Sequence, residues 1–229
     1  MKIPGFMKIT MAFLLAAGTA AGAWAKAGPW SQELSLEAGA AYPTAVNNFS
    51  DSEKMGPMGG ARYLFRTSEK FAFGLQGDYY SFAAKNQLLT SPLGGQMTAR
   101  SQDDVATVEV VGRYSFLPKA KVVPYFHTGV GATYFRQVTK GEPAPGSGWP
   151  DTGTTETRQV QDTSSVGISY SAGFGAETNL TKSLVLGLET AWRIFGVSQT
   201  TFGTSTIGVP SVSLRLGWRF GPDPIPTGF

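Results

Sequence analysis

From Gln32 to Phe220 the chain alternates apolar and polar residues with a period of two, and no segment sustains the 3.6-residue period of a helix. β-branched and aromatic residues crowd one parity, so each alternating run is predicted as a strand. The runs cover residues 32–41, 59–66, 70–82, 105–116, 122–136, 165–178, 184–195 and 211–220. Most match the roughly 9–11 residues that a tilted β-strand needs to cross a bilayer.

Their connections alternate in length. Residues 66–70, 116–121 and 179–183 make tight turns, whereas 42–58, 83–104, 137–164 and 196–210 are long and polar. Short and long in strict alternation describe an up-and-down meander with one trimmed end and one elaborated end, as in transmembrane β-barrels. Within the third long connection the Pro/Gly-rich segment 141–148 is expected to be mobile and without regular structure. The expected fold is all-β, an eight-stranded antiparallel up-and-down transmembrane β-barrel.

Sorting the strands by parity separates two faces. One carries Leu34 and Leu36, Tyr63 and Phe65, Val108 and Val110, Val130, Ile168, Leu186 and Leu188, Leu214 and Leu216, with no charge before Arg136 at its border. The other carries Glu33, Glu37, Arg62, Arg66, Asp78, Glu109, Arg113, His127, Glu177, Glu189, Arg193, Arg215 and Arg219. A soluble barrel would turn the first face inward and a membrane barrel the second. Glycine decides, because Gly39, Gly60, Gly74, Gly129, Gly131, Gly167, Gly173, Gly175, Gly187 and Gly217 share the charged face, against Gly77 and Gly112 on the apolar one. The lumen of an eight-stranded barrel barely holds its side chains, so long charged residues must be interleaved with residues that have none. The glycine-rich face therefore points inward and the aliphatic face meets lipid.

Aromatic residues collect at the two ends of the apolar face. Phe65, Phe71, Phe73, Phe116, Trp218 and Phe220 lie at the short-turn end, and Tyr42, Tyr79, Tyr134 and Trp192 at the long-loop end. Two such belts match the girdles of outer-membrane barrels.

Composition narrows the alternatives. With 41% apolar residues, 15% charged residues and 29 glycines in 229 residues, the chain is short of charge and rich in glycine. It has no cysteine, which excludes a disulfide framework and a thiolate metal site. A net charge of +3 without a Lys/Arg run argues against a nucleic-acid partner. Residues 1–25 run from Lys2 and Lys8 through the apolar stretch 11–17 to Ala23-Trp24-Ala25, the order of a cleaved secretory signal peptide. The expected organisation is a signal peptide at 1–25, a barrel at 26–220 and a Pro-rich tail at 221–229.

Three motifs carry a family resemblance: Glu33-Leu34-Ser35-Leu36-Glu37-Ala38-Gly39, Pro124-Tyr125-Phe126-His127-Thr128-Gly129-Val130-Gly131, and Val212-Ser213-Leu214-Arg215-Leu216-Gly217-Trp218-Arg219-Phe220. With them, the chain from Trp30 onward resembles the small outer-membrane β-barrels of the OmpA/OmpX/OmpW type of Gram-negative bacteria. The resemblance implies an outer-membrane location after export and a monomer. It also implies that the barrel insertion machinery reads Leu214, Leu216, Trp218 and Phe220 as the assembly signal. In the family the terminal aromatic is usually the last residue, whereas here residues 221–229 follow; they read as a periplasmic tail, with Phe229 the alternative terminus.

The inward charges suggest mutual pairing, since buried ions are costly unless paired and arginine's fork suits carboxylates. If the barrel closes, Glu33 comes near Arg219 and Glu37 near Arg215, stapling the seam. With Glu109, Arg113, Glu189 and Arg193 these pairs would plug the lumen. The primary expectation is a structural or surface-interaction protein; the alternatives are a small or gated porin-like channel and, more remotely, a lipid A-modifying enzyme. Barrels of that last kind use a histidine with a serine or an acid. Here His127 is the one histidine, with Ser169 or Ser171 across the next strand and Glu177 lower down. It is read as structural, so no catalytic residue, cofactor or metal is expected. Expected partners are outer-membrane lipid and lipopolysaccharide, the latter through Lys85, Arg100, Arg136 and Lys140. Host or phage molecules could meet the loops at Leu88, Leu89, Leu93, Met97 and Trp149.

Overall fold

The protein's structure is a computed structural model that describes residues 31–44, 54–83, 87–90, 96–143, 158–181, 183–196 and 206–221. Among these are the strands β1 (Gln32–Ala41), β2 (Gly56–Arg66), β3 (Phe71–Ala83), β4 (Gln87–Thr90), β5 (Gln96–Ser115), β6 (Val122–Pro143), β7 (Arg158–Asn179), β8 (Leu184–Gly196) and β9 (Thr206–Phe220). They pair antiparallel in the order β3-β2-β1-β9-β8-β7-β6-β5, and β3 pairs back onto β5, closing an eight-stranded barrel. β4 pairs with β5 at Gln96–Ala99, beyond the β3–β5 ladder that ends at Ala83↔Gln102. The seam joins the first strand to the last in the expected register, Glu33 opposite Arg219 and Glu37 opposite Arg215.

The pleat then puts alternate residues on opposite walls. On β9, Leu214 is 61% exposed and the adjacent Arg215 is 2% exposed. Val130, Val166, Ile168 and Leu188 likewise face outward, whereas Glu33, Glu109, Glu177 and Glu189 are buried. A soluble core is thus absent from the outer wall, and the packed interior is the charged, glycine-rich face. Tyr63 keeps outward parity but is covered, its ring packed edge-on against Phe65 at 4.8 Å and its hydroxyl donating to Gln32 Oε1 at 2.5 Å.

Five strands are longer, by three residues or more, than the alternation indicates; β2 begins at Gly56 rather than 59 and β9 at Thr206 rather than 211. β5 begins at Gln96 rather than 105, β6 runs on to Pro143 rather than 136, and β7 begins at Arg158 rather than 165. The β5–β6 ladder is unbroken from Met97↔Pro143 to Ser115↔Tyr125, and the β6–β7 ladder has one irregularity at Thr139/Lys140. The apolar alternation stops before the strands do, because backbone pairing does not need it and continues through polar residues. The first residues of the segment expected to lack structure, Gly141 to Pro143, are consequently strand; 144–148 lie outside the described residues. So do the proposed signal peptide and residues 222–229 of the tail. Gly221, at φ 117°, ends β9 in a conformation that favours glycine.

Glycine is required by the narrow lumen. A Cβ at Gly129 would lie 2.6 Å from Ser171 Oγ and 2.8 Å from Glu109 Oε2, and one at Gly60 would collide with Asp78. The outward Gly112 has nothing within 4 Å. Gly129→Val should therefore destabilise the barrel by about 1–3 kcal/mol through overpacking, while Gly112→Ala leaves it unchanged, as measured by reversible urea unfolding in micelles.

Candidate functional site

The interior is built in three layers along the barrel axis. Nearest the short turns, Glu33 on β1 and Glu177 on β7 are shared by four arginines. Arg66 reaches Glu33 at 3.3 Å and Glu177 at 3.1 Å. Arg215 donates to Glu33 at 2.6 Å and also bonds Glu177, and Arg219 donates to Glu33 at 2.9 Å and to Glu177 at 2.5 Å. Arg113 pairs with Glu177 and lies 3.5 Å from Glu33. The seam is thus stapled by Glu33 with Arg219 and Arg215.

The second expected staple is not formed. Although Glu37 is opposite Arg215 in register, the Arg215 side chain leans towards the short turns and spends its donors on Glu33 and Glu177. Glu37 belongs to the next layer, where it accepts from Gln76 Nε2 at 2.9 Å and lies 3.8 Å from Arg62 and 3.9 Å from Arg193.

In that second layer Arg62 binds Glu189 through both fork nitrogens, at 2.8 and 2.7 Å, and donates its Nε to Gln76. Arg193 pairs with Asp78 at 3.0 Å and donates to Ser211 at 3.1 Å. Glu109 accepts from Ser171 at 2.6 Å and makes no ion pair with Arg113. Between the layers stands Tyr125. Its ring lies 3.9 Å beneath the Arg113 guanidinium and 5.1 Å from that of Arg215, and its hydroxyl donates to Glu189 at 2.9 Å. Gln76 and Tyr125 complete the network and were both missed by a search for charge; their inward parity alone marks them.

The third layer, at the long-loop end, is apolar. Ala41, Met58, Tyr80, Phe82, Val105, Phe135, Phe195, Ile207 and Val209 form one buried cluster. The expected plug consisted of paired charges alone, and this apolar layer adds to it. The signal was present in the sequence: Phe82, Phe135, Phe195 and Val209 share the parity of the charged residues, and the narrowing interior can be filled by side-chain packing as well as by ion pairs.

The remaining expected residues fall on the outer wall. Phe71, Phe73, Phe116, Trp218 and Phe220 are exposed at the short-turn end, and Tyr42, Tyr79 and Trp192 at the long-loop end. Phe65 and Tyr134 are half-buried. Tyr114 meets Phe71 at 4.9 Å and Phe126 meets Phe174 at 5.0 Å, both in tilted contacts not expected from the sequence. Leu214, Leu216, Trp218 and Phe220 line the outward face of β9, which is paired on both sides with β1 and β8. Charge begins above Tyr134, where Arg136 donates to Asp162 at 3.0 and 2.7 Å. That hydrogen bonding raises the Arg136 guanidinium further above its already high value. Arg100 and Lys140, opposite each other on β5 and β6, are exposed further towards the strand ends. Leu88 and Leu89 fall in β4 and Met97 in β5; Lys85, Leu93 and Trp149 lie outside the described residues.

No relay joins His127 to a nucleophile. Its position across from β7 is Gly173, its Nε2 is 3.5 Å from Glu189, neither ring nitrogen has a hydrogen-bond partner, and Ser171 donates to Glu109 instead.

These features define a class: a closed eight-stranded antiparallel β-barrel with an apolar outer wall and a packed, ion-paired interior. Solved structures with a similar outline include Ail, the attachment invasion locus protein of Yersinia pestis, in complex with the heparin analogue sucrose octasulfate (12% identity, 83% of this chain and 99% of that one, TM-score 0.46). A major outer membrane protein from Thermus thermophilus (15%, 82% and 99%, 0.44) and the outer membrane enzyme PagL (13%, 83% and 99%, 0.37) are others. No protein-family model matches the chain, and no curated protein matches it in sequence.

Removing one shared carboxylate leaves buried guanidiniums uncompensated. Glu177→Gln should cost about 3–5 kcal/mol, whereas breaking the exposed Lys119–Glu69 pair by Lys119→Ala should cost under ~1 kcal/mol; urea unfolding midpoints compare the two.

Proposed function

We propose that the chain is an integral outer-membrane β-barrel with a structural or surface-interaction role, its lumen closed and its long-loop end the contact surface. The observation that carries this is the outer wall. A continuous aliphatic surface, free of charge between two aromatic belts, surrounds an interior holding the charges, which inverts the arrangement that water favours and suits lipid. β8, with outward residues from Leu184 to Ile194, has the length a tilted strand needs to cross a bilayer.

The closed lumen is supported by the shared carboxylates at one end and the aromatic cluster at the other. Surface interaction is supported by the extra length of β5, β6 and β7. At roughly 3.3 Å per residue these strands far exceed the aliphatic band, so their polar ends stand above it with Arg100, Arg136, Lys140 and Asp162 on the outward side. Lipopolysaccharide phosphates suit those arginines and lysines, and a host or phage molecule would meet the same rim. The outward face of β9 at Leu214, Leu216, Trp218 and Phe220 is the segment offered to the insertion machinery. A gated pore is the second reading, favoured by unpartnered polar atoms on Thr107, His127 and Ser169 in the middle of the lumen.

Extracted outer membranes should yield the protein as a heat-modifiable band, and recovery of a soluble periplasmic product would overturn the proposal. Leu214→Arg, at mid-band, should weaken folding into bilayers by about 2–4 kcal/mol. In planar bilayers the wild-type barrel should show no steady conductance; a wide, solute-permeable one would refute the closed lumen.

A further inference from the structure

The two charged layers of the lumen carry opposite excess charge. Near the short turns Glu33 and Glu177 face Arg66, Arg113, Arg215 and Arg219, and every ion pair of these four arginines among the described residues ends on one of those two carboxylates. In the layer beyond Tyr125 the balance reverses, with Glu37, Asp78, Glu109 and Glu189 facing Arg62 and Arg193.

Two carboxylates cannot satisfy four guanidiniums. Each guanidinium has five N–H donors in a fixed fork, whereas the two carboxylates, with Asn179 Oδ1 accepting from Arg219 at 2.6 Å, offer five oxygens between them. Donors are accordingly left over: the Nε of Arg66, of Arg113 and of Arg215 has no hydrogen-bond partner, although these residues are only 8%, 3% and 2% exposed. The acidic layer offsets part of the positive field through space but places no acceptor at those nitrogens. A buried cationic excess with orphaned donors is unfavourable, and a bound anion relieves both defects at once.

We propose that the arginine layer is a binding site for a phosphate-class oxyanion that enters from the short-turn end. Guanidinium forks match tetrahedral oxyanions in pairs, which a spherical halide does not exploit. The entry side follows from exposure. The side chains of Arg66 and Arg219 keep 9% and 10% of their surface, while those of Glu33, Glu177, Arg113 and Arg215 are sealed. The site also has a back wall. Tyr125 closes it, and the acidic layer behind repels an anion, so the oxyanion is held rather than passed through the barrel. Free phosphate and the phosphate of a lipid headgroup in the adjoining leaflet share this chemistry.

The test uses the full chain folded in neutral detergent, with thermal unfolding and calorimetric titration at constant ionic strength. One arm adds inorganic phosphate and the other a short-chain phosphatidic acid. A saturable rise of the unfolding midpoint with either probe supports the site and identifies the source. Arg66→Gln should weaken that binding about tenfold or more, and its midpoint without anion should not fall below the wild type, because it removes part of the excess. Arg219→Gln, at the mouth, serves if Arg66→Gln does not fold. No saturable effect of either probe, or an equal effect on wild type and variant, means an adventitious ion only and overturns the proposal. Failure here leaves heat-modifiable mobility and membrane location untouched.

Discussion

The narrowness of an eight-stranded lumen governs this molecule. Closing the ring with β1 against β9 leaves room for little more than the inward side chains themselves, so every inward position must be either filled or empty by design. Long arginines and glutamates occupy some positions, and glycines opposite them supply the space. His127 stands next to Gly173 and Tyr125 next to Gly175, pairs in which any side chain on the glycine would overlap its neighbour. The charges follow from the same constraint, because groups that cannot reach water must find each other.

Much of this architecture was legible in the alternation of residues. Strand number, the closure register and the direction of each wall follow from a period of two, which a shift of one residue would invert. What the alternation concealed is instructive. Parity says that Glu37 and Arg215 are neighbours but not which way a long side chain leans, and Arg215 leans along the axis to Glu33 and Glu177. Strand ends were also hidden, since Gln96 to Asp104, Gln137 to Pro143 and Arg158 to Ser164 pair through backbone groups outside the alternating runs. The apolar plug of Phe82, Phe135 and Phe195 is written in the inward parity, but parity alone does not say that apolar side chains from separate strands meet in one layer.

The layered interior separates two tasks. Ion pairs near the short turns fix the seam and tie β1, β2, β5, β7 and β9 to common carboxylates, which resists shear between strands that are not neighbours. The aromatic and aliphatic layer at the other end excludes water without demanding partners, and so seals the mouth from which β5, β6 and β7 rise. Rigidity below and a long polar ridge above suit the scaffold proposed above, one that presents a surface while its barrel holds still.

The seam also has a kinetic meaning. Glu33 lies near the start of the described chain, and Arg219, which binds it, comes 186 residues later. Nearly the whole polypeptide must be delivered before the first strand can meet its last partner, and contacts so remote in sequence form slowly. Until then β1 keeps an unpaired edge and Glu33 lacks two of its arginines. The unfinished barrel is therefore prone to aggregate, and its completion is a single late event in which backbone pairing and charge neutralisation arrive together.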